Sequence, residues 1–226
     1  MDTIYNNKEI ICSLINKSRK MAKEIISANK YEDMSNATNR MEQQVSVKNI
    51  YENCRSALDY TMCFVNNELK LNIPIKDIQF PFFSKQVDFK KKELVKKIKE
   101  ANIELYNFIK ALQPFTSGGK YWWLKKFIEG NNKYKHRGFI PLRPFFKTKT
   151  FGWAQFGDIG VSVSKFSFGA GSPSILREEI DFQNDRSIEF EFRLEDNKTN
   201  IQNFLKEILD GTEMVINQIF SILNNK

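Results

Sequence analysis

Apolar residues recur close to every 3.6 positions through most of this 226-residue chain, which commits it to amphipathic helices. The pattern is clearest in the last segment, KTNIQNFLKEILDGTEMVINQIFSIL. There Ile201, Phe204, Leu205, Ile208, Val215, Ile216, Ile219 and Leu223 form one stripe, and Thr199 with Gln202 makes a T-x-x-Q capping box at its start. A second stripe of Leu94, Val95, Ile98, Ala101, Leu105, Phe108, Ile109 and Leu112 predicts a helix over 89–112 with most of its lysines outside. Residues 46–70 read as a third helix, with Ser46 as N-cap and Ile50, Cys54, Ala57, Leu58, Thr61, Met62 and Val65 inward. Residues 7–43 read as one or two more, and the polar run ANKYEDMSNATNR is a candidate break.

Between these segments the punctuation is readable. LNIPIKDIQFPFFSK carries two prolines and predicts an extended connector. QPFTSGG ends the 89–112 helix. Ser117 can then cap a helix over about 119–135, with Tyr121, Trp122, Leu124, Phe127 and Ile128 as candidates for its buried face, finishing near Gly138. After Pro141 and Pro144 the period changes. FGWAQFGDIGVSVSKFSFG alternates and is rich in aromatic, β-branched and glycine residues, as hairpins are, and SIEFEFRLE reads as a strand. The expected class is α+β: an antiparallel helical bundle, a β-hairpin or antiparallel-sheet insertion, and a C-terminal helix packing back on the bundle. One domain over 1–226 is expected, made of a bundle part at 1–138, a β-rich insertion at 139–196 and a closing helix at 197–226.

Composition removes several classes. No run of about 18 apolar residues is present, so no membrane span is expected. The first residues carry an acid at position 2 and no cationic leader, so the expected location is the cytoplasm. Cys12, Cys54 and Cys63 have no C-x-x-C spacing. On one helix Cys54 and Cys63 would stand about 13 Å apart, too far for a disulfide. Three scattered cysteines and one histidine do not favour a structural zinc, and neither metal nor cofactor is expected.

The net charge of +8 is unevenly placed. Residues 85–150 hold 17 basic and 5 acidic side chains, whereas 1–84 hold 11 and 10, and 151–226 hold 7 and 12. Such a basic middle third suits contact with RNA or another polyanion through counterion release. A solvated helix face carrying lysines for solubility is the plainer reading of FKKKELVKKIKE.

The only histidine, His136, lies in EGNNKYKHRG within that basic third. Neighbouring cations favour its neutral form, which can act as a general base, while the same cations can hold a phosphate. Lys125, Lys126, Lys133, Lys135 and Arg137 are the candidate nucleic-acid contacts. Arg55 and Asp59, four apart in YENCRSALDY, can pair on a helix edge. They admit two readings: phosphate-holding and positioning groups, or a structural network that also takes in His136. Tyr121, Trp122 and Trp123 could stack on bases or belong to the core. GAGSPS lacks the Lys-Ser/Thr ending of a P-loop.

Together NCRSALDY, IQFPFF, LQPF, WWL and NKYKHR resemble a family of uncharacterised bacterial proteins with the pattern N-x-R-S-A-L-D-[HY], F-P-[IF], Q-P-[FY] and a helix ending N-x-x-K-H-R. Asn53, Arg55, Ser56, Asp59, Pro81, Asn132, Lys135, His136 and Arg137 match it. More loosely, the end of the fourth helix is similar to the HEPN group (higher eukaryotes and prokaryotes nucleotide-binding). That resemblance implies a small, often dimeric helical bundle and a metal-independent ribonuclease of toxin or phage-defence type. HEPN motifs place an Arg, usually followed by a polar residue, four to six residues before the His. Here Asn131 is the nearest fit to the Arg place. The leading expectation is a HEPN-like RNA-binding protein, homodimeric, that cleaves RNA with His136 moving the proton, Arg55, Lys135 and Arg137 holding phosphate, and Asn132 with Asp59 positioning them. The alternative is a non-catalytic module that binds nucleic acid or an acidic protein.

Overall fold

The structure is a computed structural model. It describes side chains for residues 8–25, 41–116, 118, 120–133 and 199–225, and gives helices by their backbone bounds. In chain order these are α1 (Asn7–Ser27), α2 (Ala37–Glu68), a 3-10 turn (Ile75–Asp77), α3 (Gln86–Lys91), α4 (Glu93–Ala101), α5 (Ile103–Ala111), α6 (Pro114–Ser117), α7 (Trp122–Arg137) and α8 (Ile201–Asn224).

Over the residues whose side chains are described, 82% are helical and none lies in a strand. The expected α+β class is therefore corrected to a mainly helical one. The alternation on which that class rests falls inside the expected β-rich insertion at 139–196, whose side chains lie outside the described residues. Everywhere else the 3.6-residue period decides. Among the described residues no helix is long and apolar enough to cross a membrane.

The 32-residue α2 is the central helix: α1, α7 and α8 all pack on it. It presents Val47, Ile50, Tyr51, Cys54, Ala57, Leu58, Thr61, Met62 and Val65 to the core, all buried. Tyr51 meets Phe127 of α7 edge-on at 5.4 Å and Phe204 of α8 at 6.3 Å, so one ring joins three helices. The helix begins well before Ser46, which sits inside it and is half-buried rather than capping an end. Arg19 of α1 ties the first helix to the last through Asp210, at 3.0 Å, and Glu213.

The expected continuous helix over 89–112 is three short ones. Lys92 (φ −65°, ψ 126°) and Asn102 (φ −154°, ψ 99°) are extended breaks. At the second break the Leu105 amide donates to Asn102 Oδ1 at 3.0 Å, an N-cap that replaces the lost helical bonding. At the first, no side chain caps the helix. Phe89, just before it, is fully buried against Phe83, Tyr106 and Phe115, with ring centroids 6.3, 5.9 and 5.6 Å away. Leu94, Val95, Ile98, Leu105, Ile109 and Leu112 are buried as the stripe requires, but Ala101, beside the break, is exposed.

The closing helix keeps its stripe, with Leu223 only half-buried. Its cap moves by one residue: the Asn203 amide donates to Asn200 Oδ1 at 3.1 Å, in place of the T-x-x-Q box. It meets α7 tightly at Gly211, where an added Cβ would stand 2.3 Å from the buried ring of Trp123. Gly211→Val is expected to destabilise the protein by about 2–3 kcal/mol, because the added side chain collides with a buried ring that must shift. Urea unfolding of the variant against the parent measures it.

Candidate functional site

Leucine 71 to Phe83 runs mostly extended over the helices, with no strand among the described residues to pair its backbone. It leaves α2 through a left-handed Lys70 (φ 51°). The Leu71 amide donates back to Asn66 O at 2.9 Å and the Lys70 amide to Asn67 O at 3.1 Å, which closes the carbonyl end of the helix. Buried amides and carbonyls left unpaired are costly, so the connector needs partners from side chains. The helices supply them.

Arg55 and Asp59 are the first of these. Arg55 Nε donates to Asp59 Oδ2 at 3.2 Å, and Nη2 lies 3.2 Å from Oδ1. Both groups then reach the same residue of the connector: the Phe80 amide donates to Asp59 Oδ1 at 2.7 Å, and Arg55 Nη2 donates to Phe80 O at 3.4 Å. The pair thus takes one backbone unit as a neighbouring strand would. Its side chains are 18% and 31% exposed.

Gln113 does the same from the other side. Its Nε2 donates to Pro81 O at 2.9 Å and Ile109 O at 3.0 Å, while the Phe83 amide donates to its Oε1 at 2.9 Å. Asn66 accepts from the Ile73 amide at 3.0 Å and donates to Ile73 O at 3.4 Å. Lys97 donates to Leu71 O at 2.9 Å. Gln113 and Asn66 were not among the candidate residues. The signal for Gln113 lay in LQPF, where a polar residue sits between a buried leucine and a proline.

The remaining candidates lie on α7. Asn132 and Lys133 are exposed, and Lys125 lies 4.0 Å from Glu129 at a highly exposed position. Lys126 donates to the Thr199 hydroxyl and stands 5.7 and 5.4 Å from the Trp122 and Phe204 ring centroids. Lys135, His136 and Arg137 occupy the last turn of α7, and their side chains lie outside the described residues. Asn131, the nearest fit to the Arg of the motif that the sequence resembles, is a buried amide.

Neither Cys54 nor Cys63 is an activated nucleophile. Burial pushes Cys54 up to about 12, against smaller opposing effects from the Thr212 and Ser18 hydroxyls and Arg19. Cys63 is also raised, by burial first and by the Asp59 charge second. Among the described residues no group of three or more His, Cys, Asp or Glu is placed to hold a metal ion. No protein-family model, curated protein or solved structure matches the chain.

Asp59→Ala is expected to cost about 1.5–3 kcal/mol, since it strips the Phe80 amide and Arg55 of a charged partner. Asp59→Asn, which keeps an acceptor, should cost less. Chemical denaturation of both variants reads the difference, and unchanged stability in Asp59→Ala would remove the structural role. In a thiol-labelling experiment at pH 8, exposed Cys12 is expected to react in the native protein. Cys54, with about one part in ten thousand as thiolate, should react only after denaturation.

Proposed function

We propose that the protein is a non-catalytic RNA-binding module that holds the RNA backbone on a lysine-rich face. The observation that carries this reading is the surface of α3 to α5 and the chain leading into it. Eight lysines fall between residues 85 and 110, against four acids. Lys97 is the only one of the eight in an ion pair among the described residues, with Glu93 at 3.4 Å. Lys90, Lys96 and Lys99 line a shallow groove together with Val95, Glu100 and Tyr106, and Lys99 Nζ sits 5.7 Å from the Tyr106 ring centroid. Cations that are not neutralised within the fold repel one another, and a polyphosphate relieves that repulsion while releasing its own counterions.

The engagement of Arg55 and Asp59 with the connector supports binding without catalysis. Moving either group onto a phosphate would leave the Phe80 backbone unpaired. A HEPN-like cleavage site would also have to draw its phosphate cation from Lys133, Lys135 or Arg137, since Asn131 supplies none. The HEPN likeness rests on the sequence around His136 and does not by itself require cleavage.

Fluorescence anisotropy with a labelled single-stranded RNA tests the reading. Affinity is expected to fall steeply with salt. A Lys90→Gln, Lys96→Gln, Lys99→Gln triple variant should fold normally, bind more weakly and lose about 2 from the log–log salt slope, at about 0.7 per phosphate contact. Absence of RNA binding at low salt would overturn the proposal. In EDTA, neither the parent nor His136→Ala is expected to cleave RNA. Cleavage by the parent alone would replace the binding module with a metal-free nuclease.

A further inference from the structure

The start of α7 carries an aromatic surface that the lysine face does not explain. Trp122 is 46% exposed, although its neighbour Trp123 is buried against Gly211. One side of the Trp122 indole stacks on Phe204 of α8, with ring centroids 5.7 Å apart and planes 22° from parallel. Lys126 stands beside both rings, and Phe204 itself is buried and held edge-on by Tyr51. The indole is therefore a fixed ring on a rigid base. Two exposed lysines lie close to it in the chain: Lys120, which lies 5.4 Å from the Tyr121 ring centroid, and Lys125, which also faces Glu129 at 4.0 Å.

We infer that Trp122 is a stacking platform for an unpaired nucleobase, with Lys120 and Lys125 meeting the phosphates on either side of it. A core role does not account for an indole left nearly half exposed. A flat ring flanked by separate cations matches a nucleotide, which joins a flat base to charged phosphates. It matches an acidic peptide less well, since that has no ring to lay on the indole. In a duplex the base faces are already covered by their neighbours, so the site selects single strands. The inference rests on the RNA-binding reading and adds what that reading lacks: contact with bases rather than with backbone charge alone.

The test compares four probes by anisotropy or competition: a single-stranded RNA 12-mer, the DNA strand of the same sequence, the RNA duplex, and heparin, a polyanion without bases. The proteins are the full-length parent, Trp122→Ala and Trp122→Phe, each checked for folding by circular dichroism. Trp122→Ala is expected to weaken single-stranded RNA binding by about 5- to 100-fold, with heparin binding unchanged within twofold. Trp122→Phe, which keeps a ring on Phe204, should retain most of the affinity. The DNA strand should suffer the same loss, since every base has a π-face. Equal weakening of heparin and RNA would mean that the indole only supports the local fold, and would overturn the inference. So would an unchanged RNA affinity in Trp122→Ala, or a parent that binds duplex as well as single strands. A parent that binds heparin but no RNA overturns the platform and leaves only a general polyanion site. One that binds neither overturns the RNA-binding reading as well.

Discussion

Phe80 must have both its amide and its carbonyl paired while it runs extended over helices, and no strand is described beside it. That requirement shapes much of this molecule. Asp59 and Arg55 answer it with two groups fixed by one helical turn, and Gln113 repeats the solution at Pro81 and Phe83. Asn66 and Lys97 do so at Ile73 and Leu71. Each connection is modest alone, about 0.5–1.5 kcal/mol net for a neutral bond and more for a charged one. Together they fix where the connector crosses α2, and so where α3 begins and how Phe89 enters its aromatic cluster.

Position then decides chemistry. With the connector held, the lysines of α3 to α5 collect on a surface that has few acids, and three of them share a groove. The same packing brings α7 against α8 at Gly211, which buries Trp123 and leaves Trp122 outward on Phe204. The two features fall on different elements, and in the proposed reading they serve different parts of one ligand, the phosphates and the bases. Arg55 and Asp59, whose spacing also suits a phosphate site, bond instead to each other and to the Phe80 backbone.

Much of the helical part was legible because burial on one face forces a period. The stripes of α2 and α8 are buried almost residue for residue, and the prolines of 71–83 marked an extended path. What was not legible has local causes. A break at Asn102 costs little when its own side chain caps the next helix, so the 3.6 period ran on through it. The α+β expectation rests on the alternation in 139–196, whereas the described side chains follow the helical stripes. Of the candidate site, Arg55 and Asp59 were correctly paired, but their shared partner at Phe80 lies 21 residues or more away and no local pattern announces it.

By itself, then, the sequence determined the helix faces, the basic middle third and the Arg55–Asp59 spacing, since all three depend on residues within a few turns of one another. Only the tertiary structure decided that this pair serves the connector, that Gln113 shares the task, and which of two adjacent tryptophans faces outward. Adjacent residues on a helix point about 100° apart, so their fates depend on what packs against each side. For Trp122 and Trp123 that is settled by Phe204 and Gly211, some eighty residues along the chain.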